Sequence, residues 1–152
     1  MSEKSFRSLR FLAAWQSVAV IVACLAGCSS QPDWQADAYP TSGTVRINGE
    51  TAINAFVMFH SLGGDVDVRK SEPWGIVGAD GVYHVSTYGD QDGAPLGEYA
   101  VTVTWPKNMR DPYSSDRMSN KFASKEKAPL VVNIAPGRNE LPPIELNDVK
   151  LR

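Results

Sequence analysis

The chain has 152 residues, of which 43% are hydrophobic and 21% are charged, so its length suits one globular domain and is too short for two. The formal net charge of −2 argues against a dedicated nucleic-acid-binding protein, which would be markedly basic. Two cysteines exclude a disulfide-dense scaffold and a cysteine-rich zinc or iron–sulfur site.

The first 27 residues are predicted to be an export signal. Three basic residues precede an apolar stretch at 11–25, which has the length of a secretory signal and is shorter than the roughly 18 residues of a membrane-spanning helix. The stretch runs into the string Leu25-Ala26-Gly27-Cys28, which resembles the lipobox of bacterial lipoproteins. The sequence has no twin-arginine pair, and this favours the general secretory (Sec) route.

The resemblance implies that Cys28 becomes a thioether to diacylglycerol and the acylated N-terminus of the mature chain. The alternative is an ordinary buried cysteine after a hydrophobic helix. Several acyl chains hold a protein on a membrane where a single chain is only marginal. Ser29 follows Cys28, whereas an aspartate there signals inner-membrane retention in enterobacteria. The expected location is therefore the cell envelope, with the outer membrane favoured.

After the signal, residues 28–40 are predicted to be a polar tether, 41–146 a folded domain and 147–152 a C-terminal tail. Trp34 and Tyr39, in the tether, either dock on the domain or lie at the bilayer interface. The domain has short alternating runs of β-branched and aromatic residues, with turn signals at 48–49 (Asn-Gly) and 80–81 (Asp-Gly). The alternation predicts seven strands, at 41–47, 53–60, 74–78, 82–88, 98–105, 130–134 and 144–146.

The predicted fold is all-β, a seven-stranded antiparallel Greek-key sandwich. The strand at 98–105 alternates most regularly, with the odd-numbered residues from Tyr99 to Trp105 facing inward and the even-numbered ones outward. Phe56 and Met58 are apolar on a face that the same alternation assigns outward. They lie either beneath a loop or in a contact patch.

Three segments resemble the carboxypeptidase regulatory-like domains, namely 42–49 (SGTVRING), 55–59 (AFVMF) and 78–83 (GADGVY). Three later segments are similar to small lipoproteins abundant in planctomycetes, namely 93–99 (GAPLGEY), 101–106 (VTVTWP) and 136–141 (PGRNEL). The resemblance implies a transthyretin-like (prealbumin-like) sandwich over about 41–146. It implies no catalytic residues, because the matching positions are turn and core residues.

The candidates for chemistry are few. His60 and His84 are predicted to face solvent, and two imidazoles without a carboxylate pattern make a poor metal site or catalytic triad. Asp90 and Asp92, with Asp80, are either calcium ligands in a loop that does not match an EF-hand or, more simply, turn residues. No catalytic residue, metal site or cofactor is therefore predicted.

The segment 106–129 has no strand pattern and an excess of three positive charges, from six basic and three acidic residues. Five of its basic residues are candidates for contact with an anionic lipid headgroup or acidic polysaccharide, namely Arg110, Arg117, Lys121, Lys125 and Lys127. The alternative, which we favour, is a solvated loop held to the domain by Tyr113, Met118 and Phe122.

These observations predict a lipid-anchored, non-enzymatic interaction or binding module of the envelope. Its expected partners are the membrane, through the lipid anchor, and an envelope protein or polysaccharide, with no nucleic acid. The alternative is a structural or accessory subunit of an envelope assembly. An enzyme is the least favoured class, because the sequence offers no recognisable catalytic set.

Overall fold

The computed structural model describes residues 31–152, and Asp33–Arg152 form one compact unit. The strands are β1 (Ala38–Tyr39), β2 (Thr41–Ile47), β3 (Glu50–Thr51), β4 (Phe56–Ser61), β5 (Trp74–Ile76), β6 (Val82–His84), β7 (Ala94–Pro95), β8 (Gly97–Thr104), β9 (Leu130–Ile134), β10 (Asn139–Glu140) and β11 (Ile144–Leu146), with one 3₁₀ turn at Lys125–Lys127. The predicted export signal and Cys28 lie outside the described residues. Within 31–152, no helix is long and apolar enough to cross a membrane.

Three predicted strands, 41–47, 130–134 and 144–146, match β2, β9 and β11 residue for residue. The strand predicted at 53–60 begins only at Phe56, because Asn54 has a left-handed backbone and Ala55 closes a turn on Ala52. The strand predicted at 82–88 ends at His84. Four two-residue strands that the alternation does not predict bring the number of strands above seven.

The strands form an all-β architecture with several sheets. One sheet has the order β5-β4-β8-β9 and is antiparallel throughout. A second is built around β2, which pairs antiparallel with β3 and β6 but parallel with β10 and β11. The expectation of a purely antiparallel fold is therefore wrong at β2. After β9 the chain crosses from one sheet to the other, so that β10 and β11 reach β2 running in its own direction.

One hydrophobic core lies between the sheets, as in a β-sandwich. The ring of Phe59, on β4, lies 6.0 Å from that of Tyr99 on β8 and 6.3 Å from that of Tyr83 on β6 of the other sheet. The predicted inward residues of β8 are buried, which confirms the alternation. On the opposite face, Ala100 and Thr102 are also buried, at 2% and 4% exposure, and the Thr102 hydroxyl contacts His60 on the neighbouring β4.

The folded domain includes more residues at each end than the predicted 41–146. In the predicted tether, β1 pairs with β7, and Trp34 makes an edge-to-face contact with Tyr88, so these residues dock on the domain. In the predicted tail, Val149 is buried in the core and its backbone exchanges hydrogen bonds with the Asn48 amide. The segments 33–40 and 147–152 therefore belong to the folded unit.

The long segment 106–129 packs along the end of β8 rather than projecting into solvent. The backbone N–H of Val103 donates to the carbonyl of Phe122, and the N–H of Arg117 donates to that of Trp105. Met118 is buried in the core and Phe122 packs against it, as predicted. The prediction for Tyr113 is wrong, since this side chain is 94% exposed.

Candidate functional site

An aromatic pair of exposed Trp74 and half-buried Phe56 lies on the outer face of the four-stranded sheet. Phe56 and Trp74 stack with ring centroids 5.6 Å apart and ring planes 13° from parallel. Trp74 pairs across the strands with Met58, so Phe56 is its diagonal neighbour, a position that aromatic side chains reach readily. Since Gly75 points inward against Tyr83, the alternation of β5 places Trp74 and Ile76 outside, both more than one third exposed.

The backbone of Trp74 pairs with a neighbouring segment on each side. Its N–H donates to the carbonyl of Ser86 at 3.0 Å, and its carbonyl accepts the N–H of Ser86 at 2.8 Å. On the other side it pairs with Met58 on β4. This bridge links the edge of the four-stranded sheet to the segment that follows β6, so the indole projects from a fixed backbone.

A groove of about 350 Å³ runs from Trp74 across the outward residues of β5 and β6. Its apolar lining includes Ile76 and Val82. Its polar lining comes from Asp80, His84, Ser86, Asp90 and Gln91. An aromatic surface with a few polar groups around it is the usual composition of a small-ligand site.

A second cavity, of about 480 Å³, lies between Phe56 and the segment 106–120. The carboxylate of Asp116 shapes this segment, since it accepts the N–H of Trp105 at 2.6 Å and that of Asn120 at 2.7 Å. Asp116 therefore has a structural role that its charge alone does not indicate. Phe56 faces this segment across the cavity and stacks on Trp74 on its other side, and the contact patch predicted for it stays a prediction.

The five candidate basic residues of 106–129 do not converge on one site. The guanidinium of Arg117 lies 4.7 Å from the ring centroid of Trp105, whose indole N–H donates to the carbonyl of Ile53 just before β4. The ammonium of Lys125 donates to the carbonyl of Ser61, at the other end of β4. The two ends of this strand, Phe56 and Ser61, are about 17 Å apart. These two cations therefore lie near opposite ends of β4.

The other three basic side chains have separate surroundings. Lys121 lies against the ring of its neighbour Phe122, with the ammonium 5.1 Å from the ring centroid, while Arg110 and Lys127 are exposed. Among residues 31–152, none of the five forms an ion pair. The five basic residues therefore do not form a single binding site. The segment can attract anions only through its overall positive charge.

His60 has partners that the sequence does not indicate. Its Nδ1 lies 3.0 Å from Glu72 Oε1, and its Nε2 lies 3.0 Å from the hydroxyl oxygen of Thr102. Because a carboxylate only accepts, the Nδ1 N–H of His60 donates to Glu72. The prediction that His60 faces solvent is wrong in part, since this outward side chain is only 16% exposed. His84 is exposed, as predicted.

The order Thr102–His60–Glu72 is that of a nucleophile, a base and an acid, but its setting is not that of a catalytic triad. Thr102 is almost fully buried in the middle of β8, and its hydroxyl also lies 3.4 Å from the carbonyl of Met58. A nucleophile must be reachable by substrate from outside. The arrangement instead joins β8 and β4 to the loop that carries Glu72.

The acidic turn at 90–93 is organised by hydrogen bonds. Both oxygens of Asp92 accept backbone N–H groups, from Thr87 at 2.7 Å and from Tyr88 and Gly89 at 2.9 Å. Asp80 likewise accepts the N–H two residues further on. In the part of the chain that the structure describes, no three potential ligands cluster as a metal site would require. The contacts favour the turn interpretation over calcium binding.

The docked N-terminal segment is held by a polar cluster around Tyr88. The Tyr88 hydroxyl donates to Asp67 at 2.9 Å and accepts the N–H of Ala36, while the guanidinium of Arg69 lies 3.7 Å from the ring centroid of Trp34. Burial and the hydrogen bond to Asp67 raise the pKa of Tyr88 to about 12. Burial acts to raise the pKa of Asp67, but hydrogen bonds led by those of Ser71 hold it below its ordinary value.

Comparisons of the chain with protein-family models, curated proteins and solved structures found no match. The resemblance to the carboxypeptidase regulatory-like domains stays a prediction. The residues of these contacts that the sequence analysis did not single out are Trp74, Glu72 and Thr102. Only Trp74 leaves a local signal, because it precedes an inward-facing glycine on a short strand and therefore points outward.

Proposed function

We propose that this protein is a lipid-anchored, non-enzymatic interaction module of the cell envelope. The observation that carries the proposal is the partly exposed Phe56–Trp74 pair, which borders two cavities on the outer face of the sheet. Partly exposed large aromatic groups contribute strongly to recognition, because they offer contact area at little conformational cost.

We also propose that the domain is a transthyretin-like Greek-key sandwich. The seven strands of three or more residues support it, as does the single core shared between the sheets. The parallel pairing of β11 with β2 departs from the antiparallel sandwich predicted with the family resemblance.

The anchor is tested by labelling. Cells that express the full chain are given labelled palmitate, and the protein is then partitioned between detergent and water. We expect Cys28→Ser to abolish both the label and detergent partitioning. The matched control is Cys24→Ser, which lies in the segment predicted to be removed and should change neither. Labelling of the Cys28→Ser protein would refute the anchor, and fractionation of the membranes tests the outer-membrane location.

The interaction surface is tested by cross-linking in intact envelopes. A photo-reactive group introduced beside Trp74 should give a discrete adduct that Trp74→Ala abolishes. Tyr113→Ala is the matched control, since Tyr113 is an exposed aromatic residue on the 106–129 segment that does not line the groove beside Trp74. Adducts that are insensitive to Trp74→Ala would argue against this surface.

A structural or accessory subunit is the second candidate, and the edge strand β9 is the observation that favours it. Within the four-stranded sheet β9 pairs on one side with β8, and its Val131 is exposed. A sheet edge carries unpaired backbone groups that another chain can pair with. Sedimentation of solubilised envelopes tests this, because a stoichiometric large assembly that Val131→Lys dissociates would favour the second candidate.

A further inference from the structure

We infer that the groove beside Trp74 is a binding site for a neutral saccharide, an inference that rests on the proposed role as an interaction module. One face of the indole is covered by Phe56, and the surface that Phe56 leaves free borders the groove. The indole is 39% exposed, and its backbone is fixed by paired hydrogen bonds to Ser86. A flat apolar platform held in this way loses little conformational freedom when a ligand stacks on it.

The polar groups around the indole supply both donors and acceptors. Within the described chain, no hydrogen bond engages the side chains of His84, Asp90 or Gln91. Asp80 uses one carboxylate oxygen on a backbone N–H and keeps the other, and the Ser86 oxygen accepts the N–H of Gln91 but keeps its own proton. Sugar hydroxyls both donate and accept, so this mixed set suits them.

The charge of the groove excludes an acidic saccharide. Its lining has two carboxylates, Asp80 and Asp90, and no lysine or arginine. An acidic polysaccharide would bring like charges together, which costs binding energy and excludes it from this surface. A ligand with apolar ring faces and uncharged hydroxyl edges stacks on Trp74 and meets the carboxylates as acceptors. The groove therefore fits a neutral glycan and is unrelated to the basic residues of 106–129.

The test uses the full chain, purified in a zwitterionic detergent that has no sugar headgroup. Neutral glucose-, mannose- and N-acetylglucosamine-based oligosaccharides are titrated while tryptophan fluorescence and heat are recorded, with a polyuronate and a chitosan oligomer as charged probes. We expect one of the neutral oligosaccharides to bind. Trp74→Ala should weaken it by roughly tenfold or more, as loss of an aromatic stacking platform does elsewhere. Tyr113→Ala should leave it unchanged.

Two further variants separate recognition from folding. His84 and Asp90 are exposed, so His84→Ala and Asp90→Ala should preserve the melting temperature and still weaken the neutral oligosaccharide several-fold. Gln91 is unsuitable, because its left-handed backbone makes a substitution there a change of the turn as well. Absence of neutral binding, binding of the charged probes alone, or binding indifferent to Trp74 would overturn the inference. If the saccharide inference fails in this way but the cross-linking experiment gives a Trp74-dependent protein adduct, the proposed role as an interaction module is still supported.

Discussion

Gly43 and Tyr83 are cross-strand partners on β2 and β6, and the tyrosine ring lies directly against the glycine. A Cβ added at Gly43 would lie 2.7 Å from the Cζ atom of Tyr83, closer than real contacts allow. Gly75, on β5, lies against the same ring, so that two glycines make room for one fully buried tyrosine. The resemblance carried by the string at 42–49 includes this glycine, and the structure gives it a packing reason.

Gly43→Ala is therefore expected to lower the free energy of unfolding by about 1–3 kcal/mol or more, because the added methyl forces the Tyr83 ring or β2 to move. Urea denaturation measures the change. The matched control is Gly63→Ala, at an exposed position where a Cβ meets nothing within 4 Å. Equal midpoints for the two variants would contradict the packing of Tyr83 described above.

The two most buried tyrosines should respond in opposite ways to loss of the hydroxyl. The Tyr83 hydroxyl is buried and has no hydrogen-bond partner among residues 31–152, whereas that of Tyr99 donates to the carbonyl of Pro95 at 3.0 Å. An unpaired buried hydroxyl costs stability and a paired one contributes about 1 kcal/mol. We expect Tyr83→Phe to leave the free energy of unfolding unchanged or higher, and Tyr99→Phe to lower it. Equal losses in both variants would refute the difference in pairing.

Stability should fall in strongly alkaline solution. Burial raises the pKa of Tyr99 to about 12, and the pKa of Tyr88 is also about 12. An unfolded tyrosine titrates near pH 10, so above about pH 10 the folded chain binds more protons than the unfolded chain does. The contribution is complete below about pH 10 and is lost as the pH rises through about 12.

This pH dependence is measured by urea unfolding between about pH 8 and pH 12. The double variant Tyr88→Phe/Tyr99→Phe is the control, since it removes both groups. The free energy of unfolding of this variant should fall less steeply with pH than that of the wild-type chain. An equally steep fall would show that other groups cause the loss of stability in alkaline solution.

Asp92 should matter far more to stability than its neighbour Asp90. Asp92→Ala leaves the N–H groups of Thr87, Tyr88 and Gly89 without their acceptor, and we expect a loss of about 1–3 kcal/mol in urea denaturation. Asp90→Ala should stay within about 0.5 kcal/mol. Calcium should not change the melting temperature of the wild-type chain. A calcium-induced rise that Asp90→Ala abolishes would restore the calcium hypothesis.

The features that depend only on neighbouring residues follow from the amino-acid sequence. Strand alternation places Val101 and Val103 inside the core, because successive side chains of a strand point to opposite faces. Asn48 and Gly49 form a turn with positive φ at both positions, which these two residue types tolerate best. Asp80 begins its turn for the same kind of local reason, since its carboxylate accepts an N–H two residues on.

The contacts between distant segments depend instead on how the whole chain packs. The parallel pairing of β11 with β2, the docking of Trp34 on Tyr88 and the contact of His60 with Glu72 and Thr102 each join residues whose spacing carries no periodic signal. The groove beside Trp74 is of the same kind, because β5 and β6 belong to different sheets and their outer faces become neighbours only when the core closes. Local alternation fixes the face on which a side chain lies, and long-range packing fixes what that face meets.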